Sequence, residues 1–98
     1  MEIRAFQEII RRTYYEKDRA RGMEATFLWL IEEVGELATA LREGTREERA
    51  AEFADVYAWL TTLANLADVD MEQALAKYAT GCCGCGKIPC VCPPNAKP

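Results

Sequence analysis

Histidine is missing altogether from the 98 residues of this chain. Its absence excludes the Ser-His-Asp and Cys-His nucleophilic arrangements, and with them the Glu-x-x-His ligation of di-iron bundles. Cysteine is absent until residue 82, and all five cysteines lie between 82 and 92. Strand patterning is missing too: apolar and polar residues nowhere alternate, while alanine is abundant. No apolar run approaches the length of a membrane span. The opening stretch MEIRAFQEIIRR has no signal-peptide core, so a cytoplasmic protein without a membrane partner is expected. Basic residues are in the minority, 12 Lys and Arg against 16 Asp and Glu, for a net charge of -4. A protein that coats nucleic acid needs a basic surface, so nucleic acid is not an expected partner.

What is present points to helices. Half of the residues are apolar, which suits a globular chain of one domain with little room for an independent core. Ile3, Phe6, Ile9, Ile10 and Tyr14 recur at helical spacing and mark a first amphipathic helix, which ends in the charged stretch Glu16 to Arg21 before Gly22. A second helix is predicted from about Ala25 to Arg42, with Gly44 as its C-terminal cap. Thr45 and Glu48 have capping-box spacing for a third helix that continues to about Ala67. Asp70, with Gln73 three residues on, opens a short fourth helix through Tyr78. After Thr80 the composition changes to GCCGCGKIPCVCPPNAKP, a tail with its own organisation. The expected division is therefore a helical domain over 1–80 and a cysteine-rich tail over 81–98.

Within this frame five carboxylates stand out. Glu32, Glu33 and Glu36 read E-E-x-x-E on the second helix, and Glu52 and Asp55 read E-x-x-D on the third. Residues three apart share a helix face, so each helix can offer two carboxylates to one point. On the second helix Phe27, Leu30, Val34, Leu37 and Leu41 form the apolar stripe, with Glu33 and Glu36 along its edge and Glu32 further round. On the third, Phe53, Val56, Leu60 and Leu63 form the stripe; Glu52 falls inside it and Asp55 flanks it on the side of Trp59. Carboxylates gathered on a half-buried face repel one another and are costly to desolvate unless a cation is bound. Oxygen ligands suit a hard divalent ion such as Mg²⁺. The plain alternative, solvated surface acids, is adopted for Glu43, Glu47 and Glu48.

At these residues the sequence resembles the MazG-like, all-α nucleoside triphosphate pyrophosphohydrolases. WLIEEVGELATAL resembles their first acidic motif, and EFADVYAWLTTLANLADVDMEQALAKY the second and its continuation, so the likeness runs from about Phe6 to Tyr78. It implies a four-helix bundle completed by dimerisation or higher homo-oligomerisation. It also implies hydrolysis of a (deoxy)nucleoside triphosphate to the monophosphate and pyrophosphate with Mg²⁺ or Mn²⁺, as in cleansing a nucleotide pool. Carried over position by position, Glu33, Glu36, Glu52 and Asp55 match the family's metal ligands. Glu32 matches the first glutamate of the motif, which in such proteins can hold or activate the attacking water; a supporting or merely surface role stays open. Asp70 and Lys77 match positions recurrent after the second motif. Lys77 is a candidate for neutralising a phosphate, or else a solvated lysine near a helix C-terminus; Asp70 reads better as a cap.

Lys17, Arg19 and Arg21 form a basic run that can meet a triphosphate tail or simply be a solvated face. Trp29, Trp59 and Tyr57 are candidates for stacking on a base, with ordinary core packing as the alternative, and Asn65 could bond a base edge. In the tail, Cys82, Cys85, Cys90 and Cys92 give C-x-x-C-x-x-x-x-C-x-C, a spacing suited to a small tetrahedral zinc knuckle. Cys83 is left over or competes with Cys82. Disulfides and an unstructured, redox-labile tail are the alternatives, and a zinc held by four thiolates would be structural. The rival to an enzyme is a helical dimer that presents the knuckle to protein or nucleic acid.

Overall fold

The computed structural model describes residues 1–96. Three long helices dominate: α1 (Ile3–Arg21), α2 (Met23–Glu43) and α3 (Arg46–Leu66). A single turn, α4 (Met71–Ala74), follows and tightens into a 3₁₀ turn over Leu75–Tyr78. The segment expected as one short fourth helix is thus helical, but only half of it is α. No strand occurs among the described residues, and none of their helices is long and apolar enough to cross a membrane.

The connections are nearly as short as they can be, and two glycines make them possible for different reasons. Gly22 alone separates α1 from α2, with φ 90° and ψ 162°. That conformation is open almost only to glycine, and an alanine there would cost about 1–3 kcal/mol although nothing lies within 4 Å of the missing Cβ. Gly44 has an ordinary φ of -90°. Here the constraint is space, because a Cβ would sit 2.7 Å from the Ala40 carbonyl oxygen. Gly44 therefore ends α2 by close approach rather than in the left-handed turn usual for such a cap.

Thr45 then opens α3. Its hydroxyl accepts from the Glu48 amide at 3.1 Å while the Glu48 carboxylate accepts from the Thr45 amide at 3.3 Å, completing the predicted capping box. Arg49 reaches back from α3 to donate to the Ala40 carbonyl at 3.0 Å, a second donor beside the Gly44 amide at 2.8 Å, and so ties α3 to the end of α2.

α3 is the central element: it packs along α2 and along α1, which meet each other far less. Gln7 ties α1 to the segment after α3, donating to the Asn65 side chain at 3.0 Å and to the Val69 carbonyl at 2.8 Å, and accepting from the Met71 amide at 2.9 Å. Asp70 caps α4 through the Gln73 amide at 3.3 Å and pairs with Arg4 at 3.2 Å.

The buried side chains divide evenly between apolar and polar: Ile10, Leu30, Ala40 and Ala64, with Thr26, Thr61, Thr62 and Asp18, of which Thr26 is fully enclosed. The two expected apolar stripes do not form that core. Only Leu30 is buried; Leu37, Val56 and Leu63 are half-buried, and Phe27, Val34, Leu41, Phe53 and Leu60 are exposed. Three helices have too few faces to cover both stripes, so this chain leaves an apolar surface open along α2 and α3.

Candidate metal and nucleotide site

α2 and α3 form an antiparallel helical hairpin, because only Gly44 and Thr45 lie between them. Glu33 and Glu36, one turn apart on α2, therefore come opposite Glu52 on α3. Each of these three residues offers a carboxylate oxygen within 4.8 Å of the other two. Asp55 stands one turn beyond Glu52. It is outside that tight trio but near enough for its charge to act on both Glu33 and Glu52.

Burial pushes the Glu33 carboxyl above the usual 4.5, and the charges of Glu36, Asp55 and Glu52 push it further in the same direction. Glu52 is raised for the same reasons, first by desolvation and then by Glu36 and Asp55. Glu33 Oε2 and Glu52 Oε2 are both buried and have no hydrogen-bond partner. A buried carboxylate oxygen without a donor is costly, and two such residues that bring carboxylate oxygens within 4.8 Å of each other fit a divalent cation with oxygen ligands. Glu36 is exposed and supplies the open side of the nest. Glu32 is also exposed and lies outside the trio, beside Glu33 in sequence.

Beside Asp55 the molecule has a cavity of about 320 Å³ between α1 and α3. Tyr14, Lys17, Asp18 and Arg21 line it from α1, and Asp55, Trp59 and Thr62 from α3. The basic run therefore divides. Lys17 and Arg21 face the cavity, whereas Arg19 is exposed and leans on Glu16 at 3.6 Å. Arg21 is already occupied: its Nη1 donates to Asp18 Oδ1 and to Thr26 Oγ1, both at 3.1 Å, and its guanidinium lies 5.0 Å from the centre of the Trp59 ring. Trp59 also stacks with Trp29, centroids 6.1 Å apart and planes inclined by 16°. The two tryptophans thus join into one wall beside the acidic nest.

Other candidates go elsewhere. Tyr57 packs edge-on against Phe6 with centroids 5.4 Å apart. Asn65 is taken up by Gln7. Lys77, on the 3₁₀ turn, has its ammonium 5.2 Å from the Tyr78 ring centre and is not among the residues lining the cavity. The residue not singled out in the sequence was Asp18. Its only signal was an acid inside a basic run with an arginine three positions on, a spacing that also marks any surface ion pair.

The tail gathers a second group. The sulfurs of Cys82, Cys85, Cys90 and Cys92 lie within 4.8 Å of one another, and all five cysteines are free. Cys83 is not part of the group. Cys82 Sγ and Cys92 Sγ are 3.8 Å apart, too far for a disulfide. A regular tetrahedron of sulfurs at the zinc–sulfur distance of about 2.3 Å has edges of about 3.8 Å, so the spacing fits zinc.

Backbone amides point at the sulfurs: Gly84 at Cys82, Val91 at Cys85 and Cys92 at Cys90, at 3.3, 3.4 and 3.3 Å. Amides of Cys85 and Gly84 pull the Cys82 thiol down to about 6, whereas the sulfurs of Cys90 and Cys82 push Cys92 up to about 12. Four thiols this close cannot all ionise without a cation among them.

A family model, that of the MazG nucleotide pyrophosphohydrolase domain, matches residues 21–83. The matched segment includes every carboxylate of the nest, both tryptophans and the start of the cysteine tail. A search of curated proteins finds no match.

Because Glu33 and Glu52 have raised carboxyls, the folded chain binds protons where the unfolded chain has released them. Metal-free stability therefore falls as pH rises from about 4.5, the ordinary glutamate value, through the raised folded values. Mg²⁺ competes with those protons. It should raise the melting temperature strongly near neutral pH and little near pH 4.5, and Glu52→Gln should abolish the neutral-pH rise. Equal rises at the two pH values would show that these carboxylates do not hold the ion.

Proposed function

The chain belongs to the MazG nucleotide pyrophosphohydrolase family, and from that premise we propose that it hydrolyses (deoxy)nucleoside triphosphates to the monophosphate and pyrophosphate. Glu33, Glu36, Glu52 and Asp55 would hold Mg²⁺ or Mn²⁺. The single observation that carries this reading is the pair of buried, partnerless oxygens, Glu33 Oε2 and Glu52 Oε2, within the matched segment.

A triphosphate is strongly anionic, and a nest of carboxylates alone would repel it. When bound, the divalent ion supplies charge neutralisation and Lewis acidity toward the phosphoryl group. The remaining roles fall to the chain itself. Lys17, a cavity cation that forms no ion pair among the described residues, meets the phosphates. Arg21, held by Asp18 and Thr26, keeps Trp59 in position rather than reaching outward. Trp59 and Trp29 supply an apolar wall for the nucleoside. Glu32, exposed and next to the nest, takes a proton from the attacking water.

The four tail cysteines would bind Zn²⁺ structurally, since four thiolates leave no open position for catalysis. Thiols kept for a metal suit a reducing compartment such as the cytoplasm. The apolar surface along α2 and α3 supports assembly into a homodimer or larger oligomer, because burying it removes water from Phe27, Val34, Phe53 and Leu60.

Pyrophosphate release from a panel of nucleoside triphosphates should require Mg²⁺ or Mn²⁺. Glu52→Gln or Asp55→Asn should lower it at least about a hundredfold, the scale of several kcal/mol of lost charge stabilisation. If no triphosphate is cleaved, the non-enzymatic helical dimer takes precedence. Metal analysis of purified protein should find zinc at about one ion per chain, and chelation should expose the thiols to alkylation; zinc-free protein with unreactive cysteines would rule the knuckle out. Light scattering should report at least two chains per particle, and a monomer would refute assembly.

A further inference from the structure

Thr62 is only 5% exposed, yet its hydroxyl does not take the bond that its neighbour takes. Thr61 donates to the Tyr57 carbonyl at 2.8 Å, one turn back along α3. The Thr62 hydroxyl makes no hydrogen bond among the described residues, and it is not among the partnerless oxygens sealed from solvent. Thr62 lines the cavity between α1 and α3, so the surface left to its hydroxyl opens there. A buried hydroxyl without a protein partner is unusual, and this one stands where a ligand atom can reach it.

The groups around it narrow the ligand. Asp18 and Arg21 pair at 3.1 Å and neutralise each other. Asp55 belongs with the nest carboxylates read above as metal ligands. Lys17 forms no ion pair among the described residues and keeps the three donors of its ammonium. Tyr14 adds a phenol to the same lining. An ammonium and two hydroxyls share one need, an anionic partner rich in acceptors, and phosphoryl oxygens are that. Asp55 and Thr62 stand two turns apart on α3, about 10 Å of rise, so the cavity runs on from the nest far enough for two phosphoryl groups in a row. Its volume of about 320 Å³ lies within the range of small-ligand pockets.

We propose that this cavity is the subsite for the two terminal phosphates of the substrate, which leave as pyrophosphate, and that Thr62 donates to one of their oxygens beside Lys17 and Tyr14. The inference rests on the pyrophosphohydrolase reading above. The triphosphate then enters tail first. Its nucleoside stays outside, toward Trp29, which is not part of the lining. Selection at this subsite counts phosphates: triphosphates fill it whatever their base, and monophosphates leave it empty.

The test takes inorganic pyrophosphate as its probe, titrated with Mg²⁺ into the full chain and read by calorimetry. The monophosphate dAMP serves as the ligand without terminal phosphates. Thr62→Val removes the hydroxyl and nearly keeps the shape. It should weaken pyrophosphate at least about tenfold, the scale of a lost hydrogen bond to a charged group. Binding of dAMP should not change, and Thr62→Ser should restore pyrophosphate. In assays of pyrophosphate release, Thr62→Val should raise KM by one common factor for triphosphates of different bases and leave kcat alone, because the contact is held in both ground and transition states. Tyr14 is 47% exposed, so Tyr14→Phe spares the core and should weaken pyrophosphate in the same sense.

Pyrophosphate affinity unchanged in both hydroxyl variants would overturn the proposal. So would equal losses for pyrophosphate and dAMP in Thr62→Val, or a loss that Thr62→Ser repeats. Should Thr62→Val fail to fold, Tyr14→Phe decides. Triphosphate hydrolysis without Thr62-dependent pyrophosphate binding removes the subsite and leaves the activity standing. Thr62-dependent binding with no triphosphate cleaved removes the pyrophosphohydrolase reading and leaves an anion subsite. With neither, both fall.

Discussion

Two carboxylate oxygens, Glu33 Oε2 and Glu52 Oε2, are buried between α2 and α3 with nothing to bond. That is an unfavourable place for negative charge, and desolvation and mutual repulsion both raise the carboxyls involved. The hairpin closes so tightly at Gly44 that the four acids cannot spread apart without opening the helix pair. A divalent ion bound there would turn the same repulsion into cohesion. The short connection, the capping box and the Arg49 bond to Ala40 act to hold the acids at this separation.

α1 contributes less to the nest than to what lies beside it. It packs on α3 and encloses the cavity that Asp55 shares, with Arg21 held at once by Asp18, Thr26 and Trp59. This knot of a carboxylate, a guanidinium, a hydroxyl and an indole replaces the large aliphatic core that a chain of this size lacks. Interiors made of threonine, alanine and paired charge specify position well but exclude little water, which fits a fold that leaves its largest apolar side chains outside. The same shortage applies to the tail, where backbone amides and four sulfurs supply the organisation that packing does not.

Much of this was legible in the sequence. The helix ends followed from local chemistry: Thr45 with Glu48, Asp70 with Gln73, and glycines where the chain turns. The grouping of Glu33, Glu36 and Glu52 followed from three-residue spacing and a short loop, and that of the four cysteines from their own spacing. Side-chain partners were not legible. Tyr57 and Asn65 carry the same signals as groups that meet a ligand, yet Phe6 and Gln7, more than fifty positions away, take them up.

The apolar stripes show the boundary between the two. Periodicity determines that Phe27, Val34, Phe53 and Leu60 share faces of their helices, because 3.6 residues per turn is a property of the backbone alone. Whether such a face is covered depends on which helices lie across from it, and with three of them the largest side chains stay open. By itself, then, the sequence determined the helices, their caps, the grouping of three acids and of four cysteines, and the family. Tertiary structure alone decided that Asp18, an acid in a basic run, turns inward with one oxygen bonded to Arg21 and the other free. That depends on where α1 crosses α3, a packing geometry that no local spacing encodes.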